Sequence, residues 1–280
     1  MSPRRSILCP NCRKLISVDE EKCPYCGLVS PGSFWKKNIL GRLSSGQTDI
    51  VKIIIGLNIA YFILSLLLNP LSGHGMGNPL AFFSPSDNSL FLLGASGTIP
   101  IAGYGRWWTL ISASFLHGNI LHILFNMMAL WQLGYFVLRE YGLSRFVIIY
   151  VLTGIGGFYL SYIAGIPFTI GASASICGLI GSIIYYGKSR GGFYGEIIYK
   201  QAMGWVLGLA VFGFIIPGIN NWAHGGGLLS GILISLLVGY QERREEQFLY
   251  KIIAAVCIIL TFAALLWGMI QTILILIQHL

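Results

Sequence analysis

The sequence predicts an all-α polytopic membrane protein carrying a small N-terminal cysteine-rich module. Three observations lead there. Of 280 residues, 55% are hydrophobic and only 10% charged, against about 25% charged in soluble domains. The apolar residues fall into runs close to the ~20 residues that a spanning helix needs. Four of the six cysteines lie as two Cys-x-x-Cys pairs before residue 30.

The module, residues 1–30, is polar. Cys9-Pro-Asn-Cys12 and Cys23-Pro-Tyr-Cys26-Gly27 form a C-x2-C-x10-C-x2-C pattern. Two close pairs supply the four thiolates that structural zinc prefers in tetrahedral geometry. Cys9, Cys12, Cys23 and Cys26 are therefore expected to hold a structural Zn2+ in a zinc ribbon. A site filled by four cysteines is closed and so not catalytic. The opening MSPRRSILCPNC lacks the apolar core of a cleavable signal peptide. The N-terminus is thus expected to stay cytoplasmic, where reducing conditions disfavour disulfides. Residues 31–50 read as a basic cytoplasmic linker with Lys36, Lys37 and Arg42.

Seven apolar runs follow, at 51–69, 117–138, 144–164, 171–187, 201–217, 222–240 and 252–277. Glycines in the third to sixth runs permit close helix contact in a membrane. The segment 70–116 holds Pro70, Pro79, Pro85 and Pro100. It is too broken to span and too apolar for a free loop, so it is expected to lie at the membrane surface. With a cytoplasmic N-terminus, Arg139, Arg145, Lys188, Arg190, Lys200, Arg243, Arg244 and Lys251 fall inside and only Arg106 outside. Residues 241–280 then form a cytoplasmic loop and a seventh transmembrane helix that ends outside. The expected location is a prokaryotic plasma membrane. The net charge of +8 lies in short clusters between apolar runs, which argues against nucleic-acid binding. Cys177 and Cys257 lie within spans and read as packing residues.

Ionisable and polar groups inside a membrane are costly and tend to be functional. His122 and Asn126 are four apart and share a helix face. Ser173 opens the fourth run and His224 lies near the start of the sixth. With His117 they all fall in the outer half of the membrane region and can converge on one pocket. Of ten acids only Asp87 falls outside, so a Ser173–His224 dyad is expected rather than a triad. His224 would take the Ser173 proton and return it to a leaving amine. Side-chain N–H groups of His122 and Asn126, with the backbone N–H of Ser173, would stabilise an oxyanion. Ser175 points about 200° away on a helix, so both serines cannot face His224. Gly227 and Gly231 share a face with His224, and Gly178 and Gly181 offer a similar surface. His117 is expected to shape the pocket or sit at the interface. His74 and His279 receive no role. A metalloprotease would want His-Glu-x-x-His, which HGNILH lacks. A transporter would show paired broken helices, and none is evident.

As a set these residues resemble the rhomboid family of intramembrane serine proteases. The resemblance rests on Gly171-Ala172-Ser173, on HGNILHILFN with His122 and Asn126, and on Ala223-His224 followed by Gly227 and Gly231. LFLLGAS and Arg106-Trp107-Trp108 look like the family's first loop. It covers about residues 50–240 and implies a six-helix rhomboid protease core over 51–240, with 70–116 as the first loop. It implies a seventh C-terminal helix of the kind some members carry, and a serine endopeptidase cutting transmembrane protein substrates near the outer face. Ser173 would be nucleophile, His224 base, and His122 and Asn126 oxyanion stabilisers, with a gate formed by the loop and the fifth helix. No cofactor is implied for catalysis. The partners implied are transmembrane substrates, the lipid bilayer and a cytoplasmic partner of the ribbon. The alternative is a catalytically weak or silent relative that binds or escorts membrane clients. Three positions depart from the family pattern. Ala174 replaces the Gly of Gly-x-Ser-Gly, Cys177 stands where an aromatic often stacks on the histidine, and Thr109 stands where Arg often follows Trp.

Overall fold

In the N-terminal segment, strand pairing and thiols do the work of a core. The computed structural model describes residues 6–9, 12, 14–17, 19–29, 49–68, 84–240 and 246–278. The expected linker up to residue 48, the 69–83 part of the first loop with His74, and Arg243, Arg244 and His279 lie outside them. The chain divides into two compact units, one N-terminal and one formed by the long helices.

In the N-terminal unit, β1 (Ser6–Leu8) pairs antiparallel with β2 (Leu15–Ser17), with Ile7 opposite Ile16. The Cys9 N–H donates to the Lys14 carbonyl at 2.9 Å, and the Cys23 N–H to the Leu28 carbonyl at 2.8 Å. Each cysteine pair thus sits in its own tight turn. Gly27 has φ +73°, which a Cβ would disfavour, so the second turn suits glycine. Cys9, Ile16 and Cys23 are buried together.

The second unit is helical. It comprises α1 (Ile50–Leu67), α2 (Asp87–Leu93), a π turn (Ile99–Gly103), α3 (Thr109–Ser112), a 3-10 turn (Ala113–Phe115), and α4 (Ile120–Tyr141). Then come α5 (Leu143–Ile163), α6 (Ser173–Arg190), α7 (Gly192–Ile215), α8 (Asn221–Val238) and α9 (Phe248–Gln278). Among the described residues, 6 helices are long and apolar enough to cross a membrane: α1, α4, α5, α7, α8 and α9. The protein is an integral membrane protein. The fourth run, α6, has the length but not the apolarity, because glycines, serines, Lys188 and Arg190 fill it. It packs against α4, α5, α7 and α8, and most of it is buried. A helix sheathed by other helices never meets lipid and need not be apolar.

Two boundaries shift for physical reasons. The second run was expected from 117, but α4 starts at Ile120 because the Asn119 side chain caps it, accepting the His122 N–H at 2.8 Å. His117 therefore lies in the turn before the helix. The fifth run was expected from 201, yet α7 begins at Gly192 with a polar extension that carries a Glu196–Lys200 pair at 2.7 Å. Pro217 follows its end at Ile215.

The described part of the first loop holds only short elements, as a broken segment should. Arg106 organises it. Its guanidinium donates to the Phe91 carbonyl at 2.7 Å, the Leu92 carbonyl at 3.1 Å and Gln271 Oε1 at 2.9 Å. It also stacks between the Phe91 and Trp108 rings, 4.7 and 4.8 Å from their centroids. Arg106 thus closes the C-terminal carbonyls of α2 and ties the loop to α9. Gly268 of α9 fits against the Leu93 carbonyl and the Trp108 ring. The Tyr61 hydroxyl of α1 donates to the Leu265 carbonyl.

The seam between α6 and α8 is glycine-made. A Cβ on Gly227 would collide with the Ala174 carbonyl, one on Gly231 with the Gly178 carbonyl, and one on Gly181 with the Leu228 carbonyl. Gly231→Val is expected to lower stability by about 1–3 kcal/mol through overpacking, read by unfolding in mixed SDS micelles. Gly204→Ala should be neutral, since nothing lies within 4 Å of its absent Cβ.

Candidate active site

Helices α4, α6 and α8 alternate with α5 and α7, so their N-termini share one end of the bundle. That end gathers the polar residues of the spans. Ser173 is the first residue of α6 and His224 lies in the first turn of α8. The glycine seam brings the two together, and Ser173 Oγ lies 2.8 Å from His224 Nε2. For that nitrogen to accept the hydroxyl proton, the imidazole proton must sit on Nδ1. His224 Nδ1 is buried and has no hydrogen-bond partner among the described residues. Asp87 is exposed at the start of α2. The described residues therefore assemble a pair rather than a triad.

Ser173 is presented by a strap with unusual backbone. Gly171 has φ +120°, and its N–H donates to the Ala113 carbonyl at 2.9 Å. A Cβ on Gly171 would lie 2.8 Å from His122 Nε2 and 3.7 Å from Ser173 Oγ. The His122 ring thus rests on the bare Gly171 Cα beside Ser173. His122 Nδ1 accepts the Gly118 N–H at 3.4 Å, which assigns the proton to Nε2, the edge facing Gly171. His117 is fully buried and packs edge-on against the His122 ring with centroids 5.0 Å apart. Asn126 is buried one turn further along α4. One of its amide N–H groups is held by its own helix, donating to the His122 carbonyl at 2.8 Å.

The start of α6 supplies further donors. Ala172 gives no side-chain cap, so the first N–H groups of α6 lack intrahelical acceptors and carry the positive end of the helix dipole. In contrast, the side chains of Asn119 and Asn220 cap α4 and α8. Ser175 Oγ is fully buried, faces Gly154 of α5 and has no hydrogen-bond partner among the described residues. The Ala174 methyl is buried in a cluster with Ala113, Phe158 and Ala223. Cys177 is buried in α6, and among the described residues no ring stacks on His224. Thr109 donates to the Arg106 carbonyl at 2.7 Å and is buried within the loop.

In the N-terminal unit the sulfurs of Cys9, Cys12, Cys23 and Cys26 lie within 4.8 Å of one another. Cys9–Cys26 and Cys12–Cys23 are each 3.6 Å apart. A tetrahedron of thiolates at about 2.3 Å from a central ion has edges of about 3.8 Å, so the four thiols fit a metal ion. Burial opposes ionisation of Cys23, but the backbone N–H groups of Tyr25 and Cys26 outweigh it and draw the thiol down to about 7. Burial pushes Cys12 up to about 12.

Sequence reasoning missed Asn119 and Asn220, which hold the site from outside it, and named Gly171 only as part of the Gly-x-Ser pattern. An Asn just before an apolar run is a readable cap signal. A glycine pressed against a distant imidazole is not.

Known proteins resemble this chain in sequence. The Rhomboid domain family matches residues 104–241. Rhomboid protease GluP of Bacillus subtilis (strain 168) is 29% identical over 235 residues, covering 84% of this chain and 43% of that protein. RHOMBOID-like protein 4 of Arabidopsis thaliana is 27% identical, covering 65% of this chain and 50% of its own length. Rhomboid-like protease 5 of Toxoplasma gondii is 29% identical, covering 58% and 20% respectively. These matches support a rhomboid family protein, with the family's domain at residues 104–241. The chain spans about half the length, or less, of these curated relatives.

Gly171→Ala is expected to force the strap and the His122 ring apart. Labelling of Ser173 by a fluorophosphonate in detergent should fall at least about tenfold, with helical circular dichroism unchanged.

Proposed function

We propose that the chain is an intramembrane serine endopeptidase that cleaves transmembrane protein substrates near the outer membrane face. The observation that carries this is the 2.8 Å contact between Ser173 Oγ and His224 Nε2 at the end of membrane helices. Ser173 Oγ attacks a peptide carbonyl while His224 Nε2 takes its proton. The resulting oxyanion is met by N–H groups at the start of α6, by His122 Nε2–H and by the remaining Asn126 amide N–H. Collapse breaks the C–N bond, and His224 returns the proton to the leaving amine. A water, deprotonated in turn by His224, then releases the acyl group from Ser173.

Entry from the side is supported by α7. It packs chiefly against α6, and a cleft of about 460 Å³ lined by Gln132, Gln201, Trp205 and Phe212 separates it from α4. This suits the gate expected at the fifth helix. The 51–240 core carries the chemistry, with the N-terminus cytoplasmic in a prokaryotic plasma membrane. Residues 1–30 are a zinc ribbon whose four cysteines hold a structural Zn2+, and the ribbon is accessory, recruiting a cytoplasmic partner.

The second reading, a weak or silent relative that escorts membrane clients, draws on the missing partner at His224 Nδ1 and on Cys177. A fluorophosphonate separates the two, since only the protease labels at Ser173.

Ser173→Ala and His224→Ala should each abolish cleavage of a reporter transmembrane substrate in proteoliposomes, and unchanged cleavage by Ser173→Ala would overturn the reading. His122→Ala and Asn126→Ala should each lower kcat by up to about 10²–10³-fold. Replacing Cys12 and Cys23 by Ser should remove one bound zinc per chain by elemental analysis and leave reporter cleavage intact.

A further inference from the structure

The strap leading into Ser173 and the turn leading into His224 meet at one part-buried hydrogen-bond node. Asn220 stands four residues before His224, and Thr169 stands four before Ser173. The Asn220 carboxamide is committed on both ends. Its Oδ1 accepts the Ala223 N–H at 3.1 Å, which caps α8. Its Nδ2 donates to Thr169 Oγ1 at 2.8 Å and to Ser161 Oγ, at the end of α5, at 2.6 Å. The Asn220 backbone carbonyl accepts the His224 N–H at 3.2 Å. Thr169 is in turn paired with Ser96 of the first loop, its N–H donating to the Ser96 carbonyl at 2.8 Å and its carbonyl accepting the Ser96 N–H at 3.0 Å. Thr169, Ser161 and Ser96 are all buried.

We infer that Asn220 and Thr169 are positioning residues that set the distance and angle between Ser173 and His224. The inference rests on the dyad reading above. The glycine seam fixes how closely α6 and α8 approach, but it lies below the site. It does not hold the strap, whose Gly165 and Gly171 take positive φ and allow many backbone directions. Asn220 supplies that restraint from the His224 side. One amide ties the cap of α8, the end of α5 and the strap, and through Ser96 the first loop follows. Losing the Thr169 acceptor leaves a half-buried Asn220 N–H short of a partner among otherwise buried groups, which favours a local backbone shift. The Ser173–His224 contact moves with it.

The test uses the full chain in proteoliposomes with a cleavable transmembrane reporter. Thr169→Val keeps the side-chain shape and removes the acceptor. Asn220→Asp keeps the cap and removes the donor. Each is expected to lower kcat about 10- to 100-fold with KM within about twofold of wild type. Thr169→Ser, which keeps the hydroxyl, should stay within about threefold of wild-type kcat. Hydrogen exchange should quicken in the peptides covering 166–172 and 220–224 for Thr169→Val and not for Thr169→Ser. An unchanged kcat in Thr169→Val, or equal losses in the Val and Ser variants, would overturn the inference. If wild type cleaves nothing and Ser173 takes no fluorophosphonate, the protease reading fails instead. The exchange measurement then still decides the node, because unchanged exchange in Thr169→Val rules out a clamp.

Discussion

At Gly181, Gly227 and Gly231 the backbones of α6 and α8 meet with no side chain between them, and the rest of the membrane unit depends on that contact. Dispersion forces and close packing, not hydrophobic burial, hold helices together in lipid. Bare backbone maximises them. The contact also allows α6 to exist where it is. A helix this rich in glycine and serine would be a poor membrane span alone, and here α4, α5, α7 and α8 enclose it. A polar hydroxyl can then stand at its end beside an imidazole from the neighbouring helix.

The helix ends at the site are treated differently, and the difference is chemical. Asn119 and Asn220 spend their side chains on the first N–H groups of α4 and α8, whereas α6 has only Ala172. Of these three ends, only that of α6 has no side-chain cap on its first N–H groups. The same end carries the hydroxyl. A carboxylate partner for His224 is absent among the described residues, so in the proposed mechanism electrostatic help for a tetrahedral intermediate falls to these fixed dipoles and the His122 edge. Burial strengthens each of them by lowering the local dielectric.

Much of this was readable in the chain. Run lengths and the cysteine spacing gave the architecture. The i, i+4 pair His122 and Asn126 and the placement of Ser173 and His224 on alternate helices placed these polar residues at one end of the bundle. Ser175 also read correctly as facing elsewhere by helix angle alone, and it lies against Gly154. What was not readable depends on contacts far apart in sequence. The Thr169–Asn220 bond joins positions 51 residues apart, and no local pattern marks that pairing, although an Asn before an apolar run signals the cap alone. The run 171–187 counts among the apolar runs, yet α6 is less apolar than the other long helices, because its neighbours enclose most of it and it need not face lipid. Asn119 shortened the second run in the same way, since a cap overrides an apolar tally.

The Arg106–Gln271 bond closes a circuit of 165 residues. Synthesis at about 5–20 residues per second separates its two ends by roughly ten to thirty seconds. Ser173 and His224 are both made within that interval, ahead of Gln271, and until Gln271 follows the first loop has no anchor on α9. The guanidinium can satisfy the α2 carbonyls yet lacks its third acceptor, and Trp108 lacks the Gly268 surface. Maturation is therefore ordered by the ribosome. The chemical groups are inserted first, and the fastening that steadies the loop around them arrives with the last helix.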